Sequence, residues 1–408
     1  MNLLVVDSVD IPFGGAHSVH VSLLIKGLRK NGVNAFLIIP YGRKREALSA
    51  STKKHGHYDG IPFYIVRKSR KIKKLFSFIQ KTISVFSTAF LIYKQNRKKN
   101  VDGIILGNPD IIRDFPVILT CIICKIPMYL WYVEKFSLDE DYYGIAGFFN
   151  KSSQELSEKL LPKYSSGVIV ISSCLKKHYL NYLPENKTLI NPILVSADMH
   201  KIINDENNSG TNGELKRSPE GKRLLVYSGS FAEKDGVHYL IDAFSQLVQK
   251  HPNTLFIMTG KNENELLMDR VKMHIKQLQL EDKIQLLGFV SSQELFSYNY
   301  MADILFVCRT NSSFANHGFP WKLGEYCMTG KPIIATRVSD IDYYFEDNES
   351  LFIVEPNNSK AIAEKIDYIF DNYEQALIVA KNGRETAIKC FDYITKTNEL
   401  KQFIQNNN

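Results

Sequence analysis

Short apolar or β-branched runs recur at residues 3–6, 35–39, 62–66, 103–106, 128–133 and 168–172, and longer stretches with helically spaced apolar positions lie between them. Run and helix in alternation predict a parallel sheet covered on both faces. The pattern stops at 204–222, which is polar, rich in Asn and Gly and without apolar periodicity, as a linker or surface loop is. It restarts with strand-like runs at 224–228, 255–259, 284–287, 304–307, 332–336 and 351–354, and helical patterns near 237–250, 263–278, 292–301, 322–329 and 360–373. The expectation is an α/β chain of two doubly wound domains, 1–200 and 223–386, joined by 201–222. Such sheets bind ligands beyond the carboxyl ends of their strands, so two of them facing across a cleft imply a site in that cleft.

Composition narrows the class. A chain of 408 residues is long enough for two full cores. The six cysteines lie mostly inside apolar runs, and the Cys121/Cys124 pair has neither a second pair nor a His cluster beside it, which argues against zinc or redox use. Reduced, buried thiols and a start on a strand-like run without a basic leader favour a cytoplasmic protein. No apolar run is long enough to cross a bilayer.

The net charge of +8 is concentrated early: Arg43–Arg45, Lys53, Lys54, Arg67, Lys68, Arg70, Lys71, Lys73, Lys74, Lys81, Lys94 and Arg97–Lys99 load the first hundred residues. Among them Leu75, Phe76, Phe78, Ile79, Ile83, Phe86, Phe90 and Leu91 recur at helical spacing. A basic amphipathic helix suits peripheral contact with the anionic inner face of a membrane. It equally suits a surface helix whose apolar stripe meets its own core. Nucleic acid is not expected as a partner, because no recognition motif or stacking platform accompanies the charge.

Three segments carry candidate chemistry. After the first strand, Gly14-Gly15 meets a helix start, a tight turn or a place where backbone approaches an anion. After the strand at 224–228, Gly229 and Ser230 lead to Lys234 near a helix start, placed to neutralise a diphosphate or simply solvated. In 317–336, a Gly-Pro turn precedes a helix that opens on Lys322 and carries Glu325, followed by Gly-Lys-Pro and a buried strand. Amides at such a helix start suit phosphate and the carboxylate suits sugar hydroxyls, although any αβ unit of a large sheet has the same outline.

With these residues in view, the chain resembles the retaining, nucleotide-sugar-dependent glycosyltransferases of family 4, which have the GT-B architecture of two Rossmann-like domains. The stretch 229–244 is similar to that family's Gly-Arg…Lys-Gly…Leu-x-x-Ala-Phe pattern, and Gly288-Phe289-Val290, Ala302-Asp303-Ile304 and Gly330-Lys331-Pro332 match its landmarks in order. The resemblance puts the family's Glu-x7-Glu pair on His317 and Glu325, so the first Glu is replaced. It implies that Glu325 binds the donor ribose, that amides from Gly318 and Phe319 to Leu323 meet phosphate or sugar, and that His317 contacts the transferred sugar. The family's basic pair falls on Ser230 and the Lys234-Asp235 step, leaving the diphosphate to Lys234 alone or to Lys234 with Lys322 or Arg309. Its acceptor-side His-Asp falls on Val133 and Glu134, which nominates Glu134.

The implied reaction moves a hexose-type sugar from a nucleoside diphosphate to a saccharide or lipid-linked saccharide, with configuration retained, in bacterial surface-polysaccharide or lipopolysaccharide assembly. No cofactor or metal is implied. The last helix, within 387–408, is expected to return to the first domain, as it does in relatives. A nucleotide-sugar epimerase or hydrolase of the same fold, or a silent sugar-binding subunit, stays open because three polar positions of the family pattern are replaced together.

Overall fold

The computed structural model describes residues 1–9, 16–42, 55–68, 74–138, 144–197, 221–260 and 264–408. The Gly14-Gly15 turn, the polar stretch up to residue 220 and basic positions 43–45, 53, 54, 70, 71 and 73 lie outside them. The chain divides into two compact units, one of Met1–Leu194, His317–Phe319 and Tyr393–Asn408, the other of Val195–Asn316 and Pro320–Asp392.

Unit 1 runs β1 (Asn2–Val6), α1 (Ala16–Lys30), β2 (Asn34–Gly42), β3 (His55–Tyr58), β4 (Ile61–Lys68), α2 (Lys74–Lys99), β5 (Gly103–Gly107), α3 (Phe115–Ile123), β6 (Met128–Tyr132), α4 (Gly144–Leu160), β7 (Gly167–Val170), α5 (Ser173–Tyr179) and β8 (Thr188–Ile190). Its eight-stranded sheet has the order β3-β4-β2-β1-β5-β6-β7-β8. Every pairing is parallel except β3 with β4. Strands buried on both faces read as continuous apolar runs, and Leu3, Val5, Ile38, Ile104, Leu130 and Ile169 are fully buried.

Unit 2 runs β9 (Arg223–Ser228), α6 (Val237–Lys250), β10 (Thr254–Thr259), α7 (Glu265–Gln277), β11 (Ile284–Gly288), α8 (Ser292–Met301), β12 (Ile304–Val307), α9 (Ser313–His317), α10 (Trp321–Thr329), β13 (Ile333–Thr336), α11 (Ile341–Tyr344), β14 (Phe352–Val354), α12 (Ser359–Asp371) and α13 (Tyr373–Phe391), with His317 itself grouping with unit 1. The sheet order is β11-β10-β9-β12-β13-β14, all parallel. On α6, Val237, Leu240, Ile241, Phe244 and Leu247 recur at i, i+3, i+4 and bury one face against Phe256 and Phe306 of the sheet. A capping box of Ser291 and Glu294 starts α8.

One helical boundary differs from the sequence reading. The final apolar pattern is not a single helix, because Asp392 leaves helical geometry (φ −52°, ψ 124°) and separates α13 from α14 (Tyr393–Asn406). That break lets Asp392 pair with Val195, whose amide donates to the Phe391 carbonyl at 2.9 Å. Helix α14 then packs on α1 within unit 1. A Cβ at Gly27 would lie 2.4 Å from Thr397 Oγ1, so α1 carries a glycine where α14 crosses it. Asn31 donates to Thr397 Oγ1 at 3.0 Å, and Tyr129 Oη donates to the Ile404 carbonyl at 3.0 Å.

Candidate functional site

In unit 2, β9 and β12 are neighbours from which the sheet is wound outward in opposite directions, towards β10 and towards β13. The loops leaving such a pair diverge and open a crevice at the carboxyl edge. Gly229, Ser230, Lys234 and Asp235 follow β9, and Arg309 follows β12. Phe231 holds a left-handed backbone (φ 55°), a conformation costly for a bulky residue that persists only where surrounding structure fixes it.

Lys322, in the first turn of α10, belongs to this loop cluster. Its Nζ donates to the Ser228 carbonyl at 2.9 Å and lies 4.0 Å from the centre of the Tyr227 ring. A Cβ at Gly229 would stand 2.1 Å from the Tyr227 hydroxyl and 3.1 Å from Lys322 Nζ, so the glycine is what admits both groups. Burial pulls the Lys322 ammonium down to about 8, with Asp235 opposing that shift. For Asp235 the balance runs the other way: burial works against its charge, yet Lys322, Lys234, the Ser230 hydroxyl at 2.6 Å and Arg309 hold its carboxyl below the usual range. Lys234 Nζ sits 4.4 Å from the Phe314 ring centre. Arg309 is buried, donating from its guanidinium to the Ala315 carbonyl at 3.1 Å and from its amide to Thr336 Oγ1 at 2.8 Å.

Glu325 stands three residues after Lys322, a spacing at which Glu and Lys ordinarily pair across a helix surface. Here they do not. The half-buried Glu325 carboxylate makes no hydrogen bond or ion pair with any described residue, and burial alone pushes it up to about 7. The next residue fixes the helix: Tyr326 Oη accepts from the Ser228 amide at 3.0 Å and bonds Ser228 Oγ at 2.8 Å, while Leu323 is fully buried. Two half-buried lysines and a buried arginine around one buried aspartate leave a net positive cluster, with a carboxylate available to accept hydroxyl hydrogen bonds on the same helix. Phosphate oxygens suit the first feature and vicinal sugar hydroxyls the second.

Unit 1 has its own divergent pair, β1 and β5. Asp7 follows β1, is buried, and bonds His17 Nε2 at 3.1 Å. Gly107 makes room for it, since a Cβ there would fall 2.0 Å from Asp7 Oδ2. The His20 ring stacks 5.2 Å from the Trp131 ring, and its Nδ1 accepts from the Leu194 amide at 3.2 Å. Burial, with His17 adding to it, keeps His20 neutral. Glu134 lies half-buried just beyond β6, at the same edge.

The structure therefore gathers Gly229, Ser230, Lys234, Arg309 and Lys322 into one cluster and sets Glu325 beside it on α10. It divides the His317/Glu325 pattern, because His317, Gly318 and Phe319 group with unit 1 and Glu325 with unit 2. The His317 carbonyl accepts from Ser172 Oγ at 2.7 Å, and Phe319 is buried. Asp235, Tyr227 and the Asp7–His17–His20–Trp131 group escaped sequence reasoning. The one available signal was an acid placed directly beside Lys234. Among the described residues no group of His, Cys, Asp or Glu could hold a metal ion.

Residues 212–386 match the family model for glycosyl transferases group 1. Over its whole length the chain superposes on Anabaena HepE, solved with UDP and glucose, with a TM-score of 0.72, 16% identity and 99% of each chain covered. The chain has the GT-B fold. Among curated sequences it is 27% identical over 150 residues to Escherichia coli WcaL, a glycosyltransferase provisionally assigned to colanic acid biosynthesis, which covers 36% of this chain and 36% of WcaL. An uncharacterized glycosyltransferase of Methanocaldococcus jannaschii is 26% identical over 286 residues, 67% of this chain and 76% of that one. The match spans about a third of the length of the first curated relatives.

Proposed function

We propose that this GT-B protein is a retaining glycosyltransferase of family 4 that moves a hexose from a nucleoside diphosphate to a saccharide or lipid-linked saccharide acceptor, in bacterial surface-polysaccharide or lipopolysaccharide assembly at the cytoplasmic side of the membrane. The observation that carries this reading is the unpartnered Glu325 carboxylate three residues from a half-buried, backbone-held Lys322. That pair presents one acceptor for ribose hydroxyls and one cation for phosphate on a single helix. The group 1 match over this unit, and the UDP and glucose held by HepE, support the same assignment.

In this reading Lys322 and Lys234 stabilise the charge that builds on the departing diphosphate, where positive groups already in place need no reorganisation. Asp235 keeps the two ammonium groups close together before the donor arrives. Arg309, committed to Ala315, shapes the loop, and backbone at Gly229 and Ser230 lines the crevice. Glu325 orients the ribose, His317 meets the transferred sugar and Glu134 faces the acceptor. The residues assigned here provide for transfer without a metal ion.

The test is donor turnover. The protein should release nucleoside diphosphate from a nucleotide sugar faster when a lipid-linked saccharide is added, and the anomeric proton coupling of the product should match that of the donor. Release indifferent to acceptor would point to an epimerase or hydrolase, no release to a silent subunit, and an inverted coupling would remove the retaining assignment. Glu325→Ala should raise the donor KM at least tenfold through the lost hydroxyl contact; unchanged kinetics would take Glu325 out of the site.

A further inference from the structure

Besides Phe148 and Phe149 on α4, the exposed large apolar side chains of unit 1 include two stripes on helices that pack against each other. On α2, Ser84, Val85, Thr88, Ala89 and Ile92 face the core, while Ile83 (46% exposed), Phe86 (61%), Phe90 (67%) and Tyr93 (41%) form the opposite stripe. Their spacing of three and four residues puts them on one side of the helix. Helix α3 repeats the arrangement: Val117, Ile118 and Cys121 are buried, whereas Phe115 (54%), Leu119 (41%), Ile122 (50%) and Ile123 (70%) point outward, with Ile112 (69%) just ahead of the helix. The two helices pack together, so the stripes belong to neighbouring elements of one side of the unit. Isolated exposed apolar residues need no explanation, but a contiguous set of large ones marks a surface that meets something.

The charge around it says what. Helix α2 contains no Asp or Glu, and Arg97, Lys98 and Lys99 crowd its last turn, with Lys94 just before them and Lys81 near its start. Lys125 stands exposed just after α3, and the acid nearest that helix, Asp114, is paired with Arg113 at 2.7 Å. Large apolar side chains rimmed by unopposed cations match the boundary between anionic headgroups and acyl chains, where Lys and Arg stay among phosphates while Phe and Ile enter the chains. Among the described residues no helix is long and apolar enough to span a bilayer. The fit is to lying on a surface.

We infer that α2 and α3 together form a docking face for an anionic lipid bilayer, with Phe86, Phe90, Phe115 and Ile123 inserting and Lys81, Lys94, Lys98 and Lys125 holding the headgroups. The face includes α3, which has no charge of its own and which the basic pattern of the sequence did not bring forward. The inference does not depend on the donor chemistry of unit 2, and its test contains no nucleotide.

The experiment is co-sedimentation of the full chain with vesicles of phosphatidylglycerol in phosphatidylcholine and with phosphatidylcholine alone, at low and high salt. Wild type should pellet with the anionic vesicles and at least tenfold less with the neutral ones, salt weakening the binding. A triple variant Phe86→Ser, Phe90→Ser and Phe115→Ser, all exposed positions, should lose at least tenfold in bound fraction at low salt while keeping its far-UV circular dichroism and melting temperature. Lys94→Glu with Lys98→Glu should remove most of the preference for anionic vesicles. Equal pelleting of wild type and the apolar variant, or equal binding to both vesicle types, overturns the inference. So does a wild type that is dimeric by light scattering and becomes monomeric in the apolar variant, since the covered surface would then belong to a second copy.

Discussion

The two units solve the same folding problem and differ in where they keep unfavourable groups. Unit 2 gathers charge at the carboxyl edge of its sheet: an arginine and an aspartate are buried, a lysine is half-buried, and a carboxylate beside them is left without a partner. Unit 1 gives its buried acids partners, Asp7 with His17, Asp110 with Ser153 and Glu158 with Ser137, and sets phenylalanines and isoleucines of α2 and α3 outward. Charge in a dry interior and hydrocarbon in water both cost free energy, and each persists where something outside the fold relieves it. The contrast is between a polar group left without a partner in unit 2 and an apolar face left uncovered in unit 1.

Four substitutions break or sharpen this contrast. The largest effect is expected for Lys322→Met, which removes the half-buried cation and deprives Asp235 of its main counter-charge. Loss of a hydrogen-bonded charge of this kind costs about 2–5 kcal/mol, so kcat/KM for the nucleotide sugar should fall roughly 30- to 5000-fold by diphosphate release. A fall below threefold would deny that the cluster grips phosphate.

Gly107→Ala comes next and acts in unit 1. The new methyl group would collide with Asp7 Oδ2, and overpacking against strands that pair on both sides costs about 1–3 kcal/mol, read as a lower urea midpoint. An unchanged midpoint would mean that β1 and β5 yield more easily than buried parallel strands do.

Glu325→Gln carries a sign that identifies its cause. The folded-state carboxyl titrates near 7, above the usual 4.5, so the folded protein binds the proton more tightly and pays for the bare charge in full only above pH 7. Replacement by the neutral amide should raise stability by about 1–3 kcal/mol at pH 8, and the gain should vanish as pH falls to 4.5. Donor affinity in the wild type should accordingly weaken below about 7, as Glu325 is neutralised, and above about 8, as Lys322 loses its proton. Calorimetric titration of the nucleoside diphosphate across pH 6–9 checks both limbs, and a flat profile would separate the two groups from the ligand.

The smallest effect is expected for Phe90→Ser, which should change stability by less than about 0.5 kcal/mol because the ring already stands in water. A large loss would show that the outward stripe of α2 packs within the fold.

Sequence alone made most of the strands legible, though not their order in the sheet, because buried parallel strands such as β1, β5, β9 and β12 are unbroken apolar runs. The edge strands of unit 1 were not: β3 is His-Gly-His-Tyr, mostly exposed and antiparallel, and β8 has three residues. Neither carries a pattern distinguishable from loop. In the site, Lys234 and Glu325 stood out because charged residues at helix starts invite explanation. Asp235 did not, since an acid following a lysine looks solvated until the fold encloses both, and Tyr227 was concealed within a strand. The outward face of α3 was hidden for a related reason: its sequence, Phe-Pro-Val-Ile-Leu-Thr-Cys-Ile-Ile, is apolar all round, so periodicity could not tell its buried side from its exposed one.

Helix α14 fixes the sequence of events during synthesis. Its residues lock onto α1 through Thr397, Asn31 and the Gly27 notch, and onto β6 through Tyr129, yet the ribosome makes them only after the whole of unit 2. Unit 1 therefore waits, its α1 flank bare, until residues 393–408 leave the exit tunnel.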